Sequence, residues 1–223
     1  MSAPKGHLRS GPPRMVMVEF GEKHAFETAL RTSFPAGFDL DDRLWRYIRW
    51  LERQEQVFKT RNTQDLFVPT TPVANVDALW SHLAFVIEPD LISHWFGRRG
   101  LESRLVPLVK CGADGCHLAV WKEGGQDRYV FLGSEGEAFQ VTTDVRCFIM
   151  LITMGYFSIE DKRTFSLRPE ENFVEYNSQP WPEPVLAQDR VRDTLGLSYP
   201  KRGSEILDIG EGAFEQFVTR QSR

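Results

Sequence analysis

At 223 residues, with 41% hydrophobic content and a formal net charge of −4, the chain is long enough to bury one large core. The acidic balance argues against a direct nucleic-acid or anionic-membrane binder, either of which needs a basic excess or a basic stripe. The longest apolar run, "CFIMLITM", is too short and too helically patterned to cross a bilayer.

Residues 1–14 carry Gly and Pro and lack the continuous apolar segment of a secretory signal, so a flexible tail is expected there. Three cysteines, an odd number in a chain this long, do not make a disulfide framework, and a reducing, cytoplasmic setting is the expectation. In "DLDDRLWRYIRWLERQEQVF", Leu44, Ile48, Leu51, Glu55 and Phe58 recur at helical spacing. Asp39, Asp41 and Asp42 stand at the positive end of that helix dipole. Trp45 and Trp50 fall off the stripe, either as exposed contacts or packed under a neighbouring segment. Pro69 and Pro72 then mark a loop. "NVDALWSHLAFVI" resumes helical spacing through Val76, Leu79, Leu83 and Val86 or Ile87, with Asn75 as its cap. "EPDLISHWFGRRG" reads as a further helix opened by Pro89 and closed by Gly97 and Gly100. The first half is therefore expected to be mainly helical.

The period changes in the middle. "RLVPLVKC", "HLAVW", "RYVFL" and "AFQV" are short, rich in branched and aromatic residues, and separated by "GADG", "KEGGQD" and "GSEGE". Connections this short force neighbouring strands to run antiparallel, so a meander is expected. "TTDVRCFIMLITMGYF" follows as an apolar helix, with Thr142 or Thr143 available as its cap and Gly155 as its left-handed end. That helix should cover the sheet. Beyond it Pro169, Pro180, Pro182 and Pro184 point to an irregular surface extension that tucks Trp181 into the body, ending in a short helix with Phe214, Phe217 and Val218 on one side. The organisation expected is a tail over 1–14, one α+β domain over 15–165, and a Pro-rich extension over 166–223.

The candidate chemical sites are weak. Gly133-Ser134-Glu135-Gly136 lacks the glycine that a nucleophile elbow needs two residues before the serine, since Leu132 stands there. It also lacks the Lys-Ser/Thr ending of a phosphate loop, and reads as a turn. Cys111, Cys116 and His117 invite a zinc reading with Cys147, but Ala113-Asp114-Gly115 is itself a good hairpin turn, and Cys116 and His117 would point to opposite faces of a strand. His24, His82 and His94 form no metal-binding pair, and Arg98-Arg99 reads as a solvated helix end. No metal and no cofactor is expected.

From Phe85 to Tyr156 the chain resembles the SUKH superfamily, a group of immunity-protein-like domains that also includes fungal cell-wall-synthesis regulators. The resemblance is carried by Pro89 opening "PDLISHWFGRRG", by "CGADGCHLAVW" with Gly112 and Gly115 before a strand, and by "YVFLGSEGE" followed by "VTTDVRCFIMLITMGY". It implies an α+β fold in which a small antiparallel sheet is covered by helices. It also implies protein binding without catalysis, in many members as immunity proteins that occlude toxins, often nucleases. A basic nuclease-like toxin would be steered by acidic groups on the inhibitor. The partner face expected from charge and turn position combines Asp114, Glu135 and Glu137 with Asp39, Asp41 and Asp42, and adds Trp121 and Trp95 as aromatic anchors. The alternatives are a scaffold or regulatory interaction domain of a larger assembly, and an enzyme built on Ser134, His117 or Glu135. Oligomeric state is left open by the sequence.

Overall fold

The computed structural model describes residues 16–17, 25–60, 65–73, 81–177, 185–208 and 212–221. His24, Asn75, Val76, Leu79 and Trp181 lie outside those residues, as does the expected tail. The fold is α+β, an antiparallel sheet covered by helices. Its eight described strands are β1 (Val16–Met17), β2 (Phe58–Lys59), β3 (Leu66–Pro69), β4 (Ala84–Val86), β5 (Leu105–Lys110), β6 (His117–Glu123), β7 (Gln126–Leu132) and β8 (Ala138–Thr142). They lie side by side in sequence order, each antiparallel to the next. The last four, β5 to β8, are the ones expected from short branched and aromatic runs separated by glycine turns.

Alternation along these strands feeds two cores. Leu118, Val120, Tyr129 and Phe131 point into the larger one, under helices α2 (Asp42–Arg53) and α4 (Val145–Thr153). Leu44, Trp45, Ile48 and Leu51 from α2 and Phe148, Leu151 and Ile152 from α4 complete it. Ala119, Trp121, Val130 and Leu132 point the other way, beneath α3 (Leu91–Phe96) and α7 (Ala213–Gln221). Both faces are thus buried over His117–Trp121 of β6 and Tyr129–Leu132 of β7, so these stretches read as near-continuous apolar runs.

Three expectations are corrected. The first half is not mainly helical: besides α1 (Ala25–Ser33), α2 and α3 it supplies strands β1 to β4. Leu83 and Val86 do not continue a helix, because Ala84–Val86 pairs with both β3 and β5. Phe58 likewise stands in a strand, opposite Phe67. The region after 165 is not irregular throughout, since it carries α5 (Pro169–Asn177), α6 (Val185–Leu195) and α7. It is tied to the body by Tyr199, whose hydroxyl meets Thr153 Oγ1 at 2.7 Å, and by Gly203 N, which donates to the Tyr156 hydroxyl at 2.7 Å. Trp45 is fully buried, and Trp50 is half-buried and stacked on Tyr47 at 5.8 Å.

Candidate functional site: an acidic cleft at one end of the sheet

The charged residues expected to form one face lie at opposite ends of the sheet. Asp114, on the β5–β6 turn, and Glu135 and Glu137, on the β7–β8 turn, are exposed at one end. Asp39 and Asp41 border the β6–β7 hairpin at the other end. The seven residues of β6 between them span about 20 Å at the rise of an extended strand.

At the first end the backbone sets the geometry. Gly133 N donates to Glu137 O at 2.7 Å, and Gly136 N returns to Gly133 O at 3.2 Å with Gly136 at φ +86°. A Cβ on Gly133 would stand 3.0 Å from the Phe131 ring and 3.2 Å from Glu137 O, so this position has no room for a side chain. Ser134 Oγ faces the Cys116 thiol at 3.9 Å. His117 is buried, with Nδ1 donating to Gly115 O at 2.8 Å and Nε2 at 3.0 Å from Glu88 Oε2, though poorly aligned for a hydrogen bond. Glu88 is held below the usual carboxylate range by its contact with His117, against the opposing push of burial. Burial pushes the thiols of Cys111 and Cys116 up and makes them poor nucleophiles. Ser134 and His117 are therefore engaged separately, and Glu135 is exposed.

One of the two aromatic anchors is corrected. Trp121 is fully buried, with Phe214 and Phe217 of α7 over it at ring distances of 5.0 and 5.1 Å, so it is a core residue. Trp95 is half-buried, and its indole N–H donates to Gly133 O at 2.9 Å, bracing the turn. His82 packs its ring on Phe157 at 4.7 Å, and burial lowers its pKa. His94 Nδ1 bonds to Asp90 O at 2.9 Å, and Arg98 bonds to Gln221 of α7.

The second end is concave. A cleft of about 650 Å³ opens between the start of α2, the β6–β7 hairpin and the β8–α4 junction, within the range of ligand-binding pockets. Four carboxylates, Asp39, Asp41, Asp127 and Asp144, share it with two cations, Arg43 and Lys122. Local chemistry fixes each acid. Asp41 caps α2 by accepting from Arg43 N at 2.8 Å and also takes the Arg43 guanidinium through both oxygens at 3.0 Å, which holds its pKa down. Asp144, and not Thr142 or Thr143, caps α4 by accepting from Arg146 N at 2.7 Å. Asp127 Oδ1 accepts from Lys122 across the hairpin. Asp39 Oδ1 accepts from Trp45 Nε1 at 2.6 Å, Leu40 N at 2.9 Å and Arg31 at 3.1 Å. Burial raises the Asp39 pKa, but these bonds and the Arg31 charge outweigh it, and the net shift is downward.

Tyr129 forms the wall of the cleft. Its ring stacks on Phe148 at 4.2 Å, and only 1% of the residue is exposed. Its pKa is pushed up first by burial and then by Asp127 and Asp41, which keeps the hydroxyl protonated. Asp39 and Asp41 were readable from the sequence; Asp127, Tyr129 and Asp144 were missed. The signals available were the polar hairpin "KEGGQD" and the Thr-Asp pair before an apolar helix, which is an N-cap pattern.

Comparison with protein-family models, with curated proteins and with solved structures returns no match.

Proposed function

We propose that this chain is a non-enzymatic protein-binding module of the immunity type, which neutralises a basic, nuclease-like toxin by covering its active surface. The observation that carries this reading is the acidic cleft, where carboxylates are held in fixed positions by helix capping and hairpin pairing. A preordered acidic surface attracts a basic partner and fixes its register at little ordering cost. The resemblance over residues 85–156 and the α+β meander agree with it. So do the separate structural engagements of Ser134, His117 and the buried cysteines.

The test is capture of the tagged protein's partners through a salt wash, followed by assay of any recovered basic protein for nuclease activity. Suppression of that activity at one equivalent of this protein is the expected result. Recovered partners whose activities are untouched by a saturating amount would overturn the immunity role and favour a scaffold.

A further inference from the structure

Three acids of the cleft share an arrangement that their structural roles do not require. Asp39, Asp127 and Asp144 are each anchored through Oδ1, and no described residue bonds to the second oxygen of any of them. The Tyr129 hydroxyl lines the same space, on a side chain 1% exposed, and finds no hydrogen-bond partner among the described residues. The buried ring presents that hydroxyl at the surface of the cleft, where a ligand can reach it. Here it is aimed into the cleft among acids already locked in orientation.

These acceptors select the shape of their ligand. Among the described residues, no three His, Cys, Asp or Glu side chains stand close enough to hold one metal ion. Acceptors spread around a cleft suit an extended donor. An ammonium is a compact point charge, whereas a guanidinium is planar and carries five N–H groups in a fixed fork. Four carboxylates stand against Arg43, Lys122 and the Arg31 that reaches Asp39, and the remaining negative charge favours a cationic ligand.

We propose that the cleft is an arginine pocket: a partner's guanidinium is received by the open oxygens of Asp127 and Asp144 and by the Tyr129 hydroxyl, with Asp39 at its rim. This rests on the reading of the protein as a binder of a basic protein, and it names the side chain that enters.

The probe is a short capped peptide, Gly-Arg-Gly, titrated into the isotope-labelled full chain and followed by amide NMR. The same peptide with citrulline or lysine at the centre provides the comparison. The arginine peptide is expected to shift amides of residues 39–43, 126–127 and 143–146. The affinity should fall about tenfold in Asp127→Asn and in Tyr129→Phe, as expected for loss of a hydrogen bond to a charged group. Asp144→Asn keeps a capping side chain and tests the third acceptor without unfolding α4. Equal shifts with the citrulline peptide, equal affinity for the lysine peptide, or unchanged arginine binding in Asp127→Asn and Tyr129→Phe would each overturn the pocket. If a toxin is inhibited, and inhibited equally well by the Asp127→Asn, Tyr129→Phe double variant, the pocket fails and the immunity reading stands. If the arginine peptide binds as described and no basic partner is inhibited, the pocket stands and the immunity reading fails.

Discussion

The two ends of the sheet carry similar charge in different ways. At the turn end, Asp114, Glu135 and Glu137 project from tight glycine-bearing turns whose geometry is set by backbone hydrogen bonds. At the cleft end, Asp41 and Asp144 begin helices, Asp127 closes a hairpin and Asp39 holds the indole of Trp45. Removing a carboxylate at the first end is expected to leave the fold as it is, whereas removing one at the second withdraws a bond made to an element's end or hairpin. At the cleft end the charge is held still because the fold uses it.

The largest effect separating the ends is expected at Trp45, which is fully buried. Trp45→Ala should lower stability by about 3–5 kcal/mol, the cost of deleting a large core aromatic, and should release Asp39; urea unfolding measures the first and amide shifts at 39–41 the second. Next is Asp144→Ala, which removes the α4 cap and should cost about 1 kcal/mol. Asp144→Asn should recover most of that loss in the same denaturation experiment.

The comparison sharpens with pH. The pKa values of Asp41 and Asp39 are lowered in the folded state, so their contribution is fully present above the unfolded value of about 3.9. It disappears as pH falls through the lower folded values. Stability measured from pH 5 downward should decline less steeply in Asp41→Asn than in the parent. A parallel decline would show that the Arg43 pairing contributes nothing. The smallest effect belongs to the turn end, where Glu135→Lys with Glu137→Lys should change stability by no more than about 0.5 kcal/mol. An unfolding midpoint displaced well beyond that would mean that the turn carboxylates are structural after all.

Legibility in the sequence followed local information. Strands β5 to β8 and helix α4 were readable because each is long enough to show its period and is bounded by glycine turns. Strands β2, β3 and β4 were not, since two to four residues are too few to display alternation. The spacing of Leu79, Leu83 and Val86 also imitates a helix. Pairing with β3 and β5 decides that segment, and pairing is a tertiary fact. Trp121 was misread for the same reason, because its cover arrives from Phe214 and Phe217 on a distant helix. The acidic start of α2 was visible as a run of Asp residues. Its convergence with Asp127, Tyr129 and Asp144 is set by how the β6–β7 hairpin lies beside α2, which no local pattern encodes.

The placement of α7 has a consequence for biosynthesis. The described strands end at Thr142 and α4 follows directly over the larger core, which Phe165, Val191, Leu197 and Ile206 complete later, yet the helix that covers Trp121 begins only at Ala213. A nascent chain halted between those points would present Trp121, Val130 and Leu132 to solvent or to a chaperone. The second face is sealed only after the intervening segment has been made, so the last step of folding waits on translation of a stretch whose described residues contribute no strand to the sheet.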